Sequence, residues 1–198
     1  MDAVLPLAAA EADRRLESPE VRGVRRNTRF QREQHSMNRV DISTGVVFDE
    51  FVAAFEAAAP AFDPTPVQRI LAEGGNWDDV RVAVTKNAAN ELMVCGKIDA
   101  IPQLGIAGHR TRAIEYLVGN HVIAETMFRH DPKALLYAPL RMLIYSDSDG
   151  NPVFTLDQPS TAFGSLGSAE VTKVGEGLDR KVANLLRVVG VDADQAFA

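Results

Sequence analysis

His121 and Glu125 stand four residues apart, and in a helix that spacing puts an imidazole and a carboxylate on one face, where both could meet one ligand or metal ion. His130 follows five residues later. The three together offer a two-histidine, one-carboxylate set for a divalent metal or haem, although the spacing is not a metal signature such as HExxH. The same residues have a purely structural reading. Asn120 caps the helix, His121 is solvated in its first turn, Glu125 pairs with Arg129 at i,i+4, and His130 hydrogen-bonds the C-terminal end. Arg141 lies in the run Leu140-Arg141-Met142-Leu143-Ile144-Tyr145, where strand alternation sets it opposite Leu140 and Met142. A guanidinium there could hold a carboxylate or phosphate, or it could pair with Glu125 or Asp131. Tyr137 could orient a substrate, or sit in the core with its hydroxyl at the surface.

Cys95 is the only cysteine. Lys97 or His109 could lower its pKa and make it a nucleophile, but a cysteine in an apolar strand is usually a small buried hydrophobe. His109, with Arg110 and Arg112 nearby, could bind an anion or be a solvated part of a loop. The sequence contains no phosphate-cradling glycine loop, no serine nucleophile elbow and no CxxC pair.

The elements that must position these groups follow from periodicity. Arg39 to Ser43 reads as a strand. Thr44 is a plausible N-cap for a helix carrying Phe48, Phe51, Val52, Phe55 and Ala59 up to Pro60. Val67, Ile70 and Leu71 predict a short helix closed by Gly74-Gly75, and Asn76 caps another from Trp77 toward Ala89. Leu92 to Ile98 and Arg112 to Val118 read as strands, with Pro102 to Gly108 a loop between them. Asn120 caps a helix from His121 to about Arg129. The segments 139–146 and 152–157 flank Asp147-Ser148-Asp149-Gly150-Asn151 as a hairpin. From Ser168 to Gly190, Val171, Val174, Leu178, Val182, Leu185, Leu186 and Val189 keep the spacing of one helix face.

Composition bounds the function. The 198-residue chain is 46% hydrophobic and 24% charged, the balance of one globular domain. A net charge of -6 argues against a general nucleic-acid binder, which needs clustered Lys and Arg. One cysteine permits no internal disulfide, which suits the cytoplasm. The apolar stretch near Met1 lacks a basic lead and is broken by Pro6, so it reads badly as a secretory signal. No stretch approaches the roughly 20 apolar residues of a membrane span. Residues 1–37 are Arg-rich without apolar periodicity and read as a loosely ordered extension, 38–192 as a single α+β domain, and 193–198 as a flexible tail.

The runs Val118-Gly119-Asn120-His121, Ala124-Glu125, Arg129-His130-Asp131-Pro132, Leu136-Tyr137-Ala138-Pro139-Leu140-Arg141 and Asp157-Gln158-Pro159-Ser160 resemble the bacterial and archaeal family called domain of unknown function 302. The resemblance spans Arg39 to Gly190, with Pro60 to Ala89 as an insertion relative to the shortest members. It implies a fold like the TATA-box-binding-protein class: an antiparallel sheet in the order β-α-β-β-β-β-α, packed by a long C-terminal helix, with inserted helices after the first helix. It also implies a homodimer. Within a subset of the family the histidine, the glutamate and the His-Asp-Pro run occur together, whereas many members have proline where His121 stands.

Architecture does not fix function. Three readings follow. In the first, the protein binds a small ligand, metal or haem between the sheet and the His121 helix. In the second, an enzyme uses His121 or His130, with Glu125, as general base, and Arg141 holds a small anionic organic substrate. The third is a structural or interaction domain without ligand.

Overall fold

Alternating apolar residues build the sheet. In the computed structural model, which describes residues 29–197, five strands pair antiparallel: β1 (Arg39–Ser43), β2 (Met93–Asp99), β3 (Ala113–Gly119), β4 (Leu140–Ser146) and β5 (Pro152–Asp157). Their order across the sheet is β1-β5-β4-β3-β2. Ile114, Tyr116 and Val118 of β3 register with Ile144, Met142 and Leu140 of β4, and all six are buried on one face. Glu115 and Arg141 fall on the other face by the same alternation.

Seven helices complete the α+β arrangement: α1 (Phe48–Ala58), α2 (Thr65–Ala72), α3 (Trp77–Asn87), α4 (Ile101–Ile106), α5 (His121–Phe128), α6 (Pro159–Gly164) and α7 (Ala169–Val188). Helix α1 buries Phe48, Phe51 and Phe55, and α7 buries Val171, Leu178, Val182, Leu185 and Leu186, in one core with the apolar face of the sheet. Gly175 lets α6 approach α7, because a Cβ there would stand 3.1 Å from both Ser160 Cα and Phe163 Cβ. A second, smaller core joins Val80, Val84, Ala88 and Met93, with Phe62, Val67, Ile70 and Val122 packed against it. No helix of the described residues is long and apolar enough to cross a membrane.

Several local expectations are corrected. Thr44 does not cap α1; Val47 holds that position without a side-chain bond, and the Thr44 hydroxyl donates to Pro152 O at 3.2 Å. The expected loop over 102–108 contains α4, because Asp99 Oδ1 accepts the Ile101 N–H and Pro102 sits in the first turn, where its missing donor costs nothing. Pro159 likewise opens α6, and Pro132 opens a 3-10 turn, Pro132–Leu136, capped by Asp131. Residues beyond 192, expected as a tail, include a 3-10 turn, Asp194–Phe197. Ala193 is buried, and Ala196 and Phe197 pack against the main core. Most of the expected extension, residues 1–28, lies outside the described residues.

Candidate functional site

Asn120 fixes where α5 begins. Its Oδ1 accepts the N–H groups of Val122 at 2.9 Å and Ile123 at 3.4 Å, two donors the first turn would leave unpaired. Its Nδ2 donates to Glu91 O at 2.8 Å. Glu91, at φ 66°, is a non-glycine residue in the left-handed region, and its carboxylate pairs with Lys181 of α7. One turn therefore ties the N-terminus of α5 to the loop ahead of β2 and to the long helix.

Between α5 and the sheet lies a cavity of about 250 Å³. Val118 and Leu140 from the strands, Ile123, Ala124 and Met127 from α5, and Phe163 and Leu178 from α6 and α7 supply apolar wall; Cys95, Asn120 and His121 supply its polar groups. Pro139 also lines it, across from Gly119, where a Cβ would come within 3.3 Å of Pro139 Cβ. The sequence reading placed a pocket beside the His121 helix, and this hollow occupies that place.

The charged groups gather in part as the structural reading has it. Glu125 is engaged by Arg129, whose Nε donates to Oε1 at 3.1 Å and whose second contact closes a bidentate pair. The His121 ring instead packs against Phe62, with centroids 4.5 Å apart. His130 lies close enough to Glu170 to help hold that carboxyl below its ordinary pKa, behind the Glu170 backbone N–H and the Ser168 hydroxyl. Among the described residues no group of three or more His, Cys, Asp or Glu is placed to hold a metal ion. His121, Glu125 and His130 do not form such a group: one helical turn aligns the first two, and the third lies beyond the helix end.

Arg141 and Tyr137 line a different hollow, about 260 Å³, with Met37, Asp157 and Ala162; Pro139 and Leu140 border both hollows. Arg141 pairs with Glu115, its Nε 2.7 Å from Oε1, rather than with Glu125 or Asp131. The pairing follows from register, since Leu117 faces Arg141 and Glu115 faces Leu143, which sets the two charges diagonally on neighbouring strands. The Tyr137 hydroxyl lies 3.2 Å from His35 Nε2 and 3.4 Å from Ser165 Oγ. Of the residues in the enzyme reading, Arg141 lines this hollow and His121 the first one.

Cys95, expected as a buried hydrophobe, is exposed at the edge of the first cavity because the β2–β3 register shifts between Val94 and Gly96. That irregularity gives Cys95 no partner in β3 and turns it to the cavity. Desolvation by the wall raises the thiol above its ordinary pKa, against the Gly119 N–H, which lowers it. The thiol therefore stays protonated at neutral pH and is a poor nucleophile. Arg112, near the His109 loop that could bind an anion or be solvated, is paired with Asp49 and stacked 4.0 Å over the Phe48 ring. No local sequence signal marks Cys95, Phe163 and Leu178 as neighbours. Their meeting depends on a strand irregularity and on two helices distant in sequence.

A crystal structure of an uncharacterized conserved DUF302 protein from Bacillus stearothermophilus has a similar fold. It is 14% identical in sequence, with a TM-score of 0.53, and the match covers 77% of this chain and 97% of that one. No curated protein matches the chain. The family described as Domain of unknown function DUF302 matches residues 75–189, which hold α3 through α7, the first hollow and all the expected site residues, and the chain belongs to that family.

Proposed function

We propose that the protein binds a small, mostly apolar ligand in the cavity between the sheet and α5, with the ligand's polar end at His121 and Cys95. The observation that supports this is an apolar recess of about 250 Å³, partly open to solvent and bordered by main-core side chains, with an imidazole and a thiol at its edge. The volume lies just under the roughly 300–1,000 Å³ of sites for drug-sized ligands, which favours a single ring or short branched chain.

Neither metal nor haem enters this reading. The three expected ligands do not converge, and a hollow of about 250 Å³ lacks the room to enclose a haem macrocycle. Asn120 is occupied by its cap and by Glu91, which leaves the imidazole and the thiol to meet a ligand's polar group.

Calorimetric titration with indole tests the proposal. Wild-type protein is expected to bind one equivalent. Ile123→Phe, which places a ring from α5 into the space, is expected to lose that binding while keeping its circular dichroism. Absence of saturable heat in wild type, or equal binding by a folded Ile123→Phe protein, would contradict the reading.

A further inference from the structure

Helix α5 has a second concave side. Opposite the sheet, a cleft of about 450 Å³ runs between α5 and the α2–α3 pair. Val67 and Leu71 of α2 and Trp77 and Val80 of α3 form one wall, and Phe128 with Leu135 stands in the other. Leu71 is 70% exposed, Leu135 53%, Phe128 48% and Trp77 40%, so four large apolar side chains border one depression while facing water. The four side chains make one apolar depression rather than scattered single contacts with water.

We infer that this cleft is a second small-molecule site, for a neutral apolar compound that inserts an aromatic ring between Trp77 and Phe128. The occupant's charge follows from the lining. Glu125 is the one acidic group on the wall, and Arg129 already neutralises it, so neither a cation nor an anion finds an unmatched counter-charge there. The surface that the cleft presents is wholly apolar, so the occupant gains nothing there from a polar substituent. The volume suits a small molecule better than a helix, whose diameter with side chains is about 10–12 Å. Two aromatic side chains on opposing walls favour a flat ring, which can stack or meet them edge-on.

Part of one wall lies ahead of the residues that match the family. The family match begins at residue 75, so α2, with Val67 and Leu71, precedes the shared region. Helix α2 packs through Val67 and Ile70 onto the small core around Val80 and Val84, and leaves Leu71 outward. The preceding segment thus converts one side of a family helix into a two-walled cleft, and Leu71 and Trp77 set which molecules fit.

The chain has a single tryptophan, Trp77, and it lies in this cleft, so its fluorescence reports the site without interference from another indole. Titrating the full chain with N-phenyl-1-naphthylamine, a neutral probe, is expected to quench Trp77 emission saturably at one equivalent. Leu71→Asp adds a charge at an exposed position and should weaken binding at least tenfold with unchanged circular dichroism; Ile123→Phe, on the inner cavity, should leave it unchanged. Sedimentation at each protein concentration accompanies the titration. No saturable quenching, equal quenching in Leu71→Asp, or a probe affinity that falls as the chain dimerises would overturn the inference, the last by showing that a second copy covers the cleft.

Discussion

The two ends of the helical layer are packed to different standards. Under α1 the rings of Phe51, Phe55, Tyr116 and Phe154 are each 0% exposed, and Phe55 meets Tyr116 and Phe154 with centroids 5.1 and 5.9 Å apart. Around α5, two hollows remain and Phe128, Leu135 and Trp77 stay partly in water. Close packing makes a region sensitive to the loss of one methylene, whereas a region with space can absorb change. The α1 side is the closely packed one, and the proposed ligand sites lie on the α5 side.

Phe55→Ala is the harshest test of that contrast. It should cost about 3–5 kcal/mol, because a fully enclosed ring leaves a hole its stacked neighbours cannot fill, and a denaturant melt would show the drop in midpoint. Leu178→Ala should cost less, about 2–3 kcal/mol, since Leu178 already borders the inner cavity and loses fewer contacts. Equal costs at the two sites would erase the proposed difference.

Smaller effects sharpen the boundary. Asn76 forms a capping box, its Oδ1 accepting the Asp78 and Asp79 N–H groups and Asp79 Oδ2 accepting its own N–H at 3.0 Å. Asn76→Ala should therefore destabilise by about 1 kcal/mol and loosen the α3 wall of the cleft, seen as a change in Trp77 emission. Glu56 tests the α1 side by pH. Burial alone would raise its carboxyl, but the Lys97 ammonium and the Tyr116 hydroxyl, each 2.6 Å from Oε1, outweigh it and leave the pKa below the ordinary 4.5. A lowered folded pKa contributes stability that is present above 4.5 and lost as pH falls through the folded value. Glu56→Gln should flatten that acid-side loss, and an unchanged pH profile would show that the cluster contributes nothing. Smallest of all, Arg141→Ala should change stability by less than about 0.5 kcal/mol, since its pair with Glu115 is largely solvated, and should leave indole binding intact.

The legible parts of the fold were those set by local chemistry. Phe48, Phe51 and Phe55 at helical spacing give α1, Asn76 and Asn120 cap α3 and α5, and the α7 stripe buries Val171 through Leu186. Proline misled at one place: Pro102, expected in a loop, stands in the first turn of α4. The site was half legible. Helical spacing brought out His121 and the α5 face, but it implied a cluster with His130, which lies past the last turn, and with Arg141, which the β3–β4 register hands to Glu115. Cys95 was misplaced because a shift in strand register has no local signature.

The central claim is that the space beside α5 receives a ligand while the α1 side does not. The most direct measurement is a methyl NMR spectrum, with Ile and Met labelled, recorded as indole is added. Ile123 and Met127, which line the cavity, should shift together and saturate, while Ile42 and Ile114 of the main core away from it stay fixed. Unmoved Ile123 and Met127 resonances, or equal shifts at all four residues, would contradict the account.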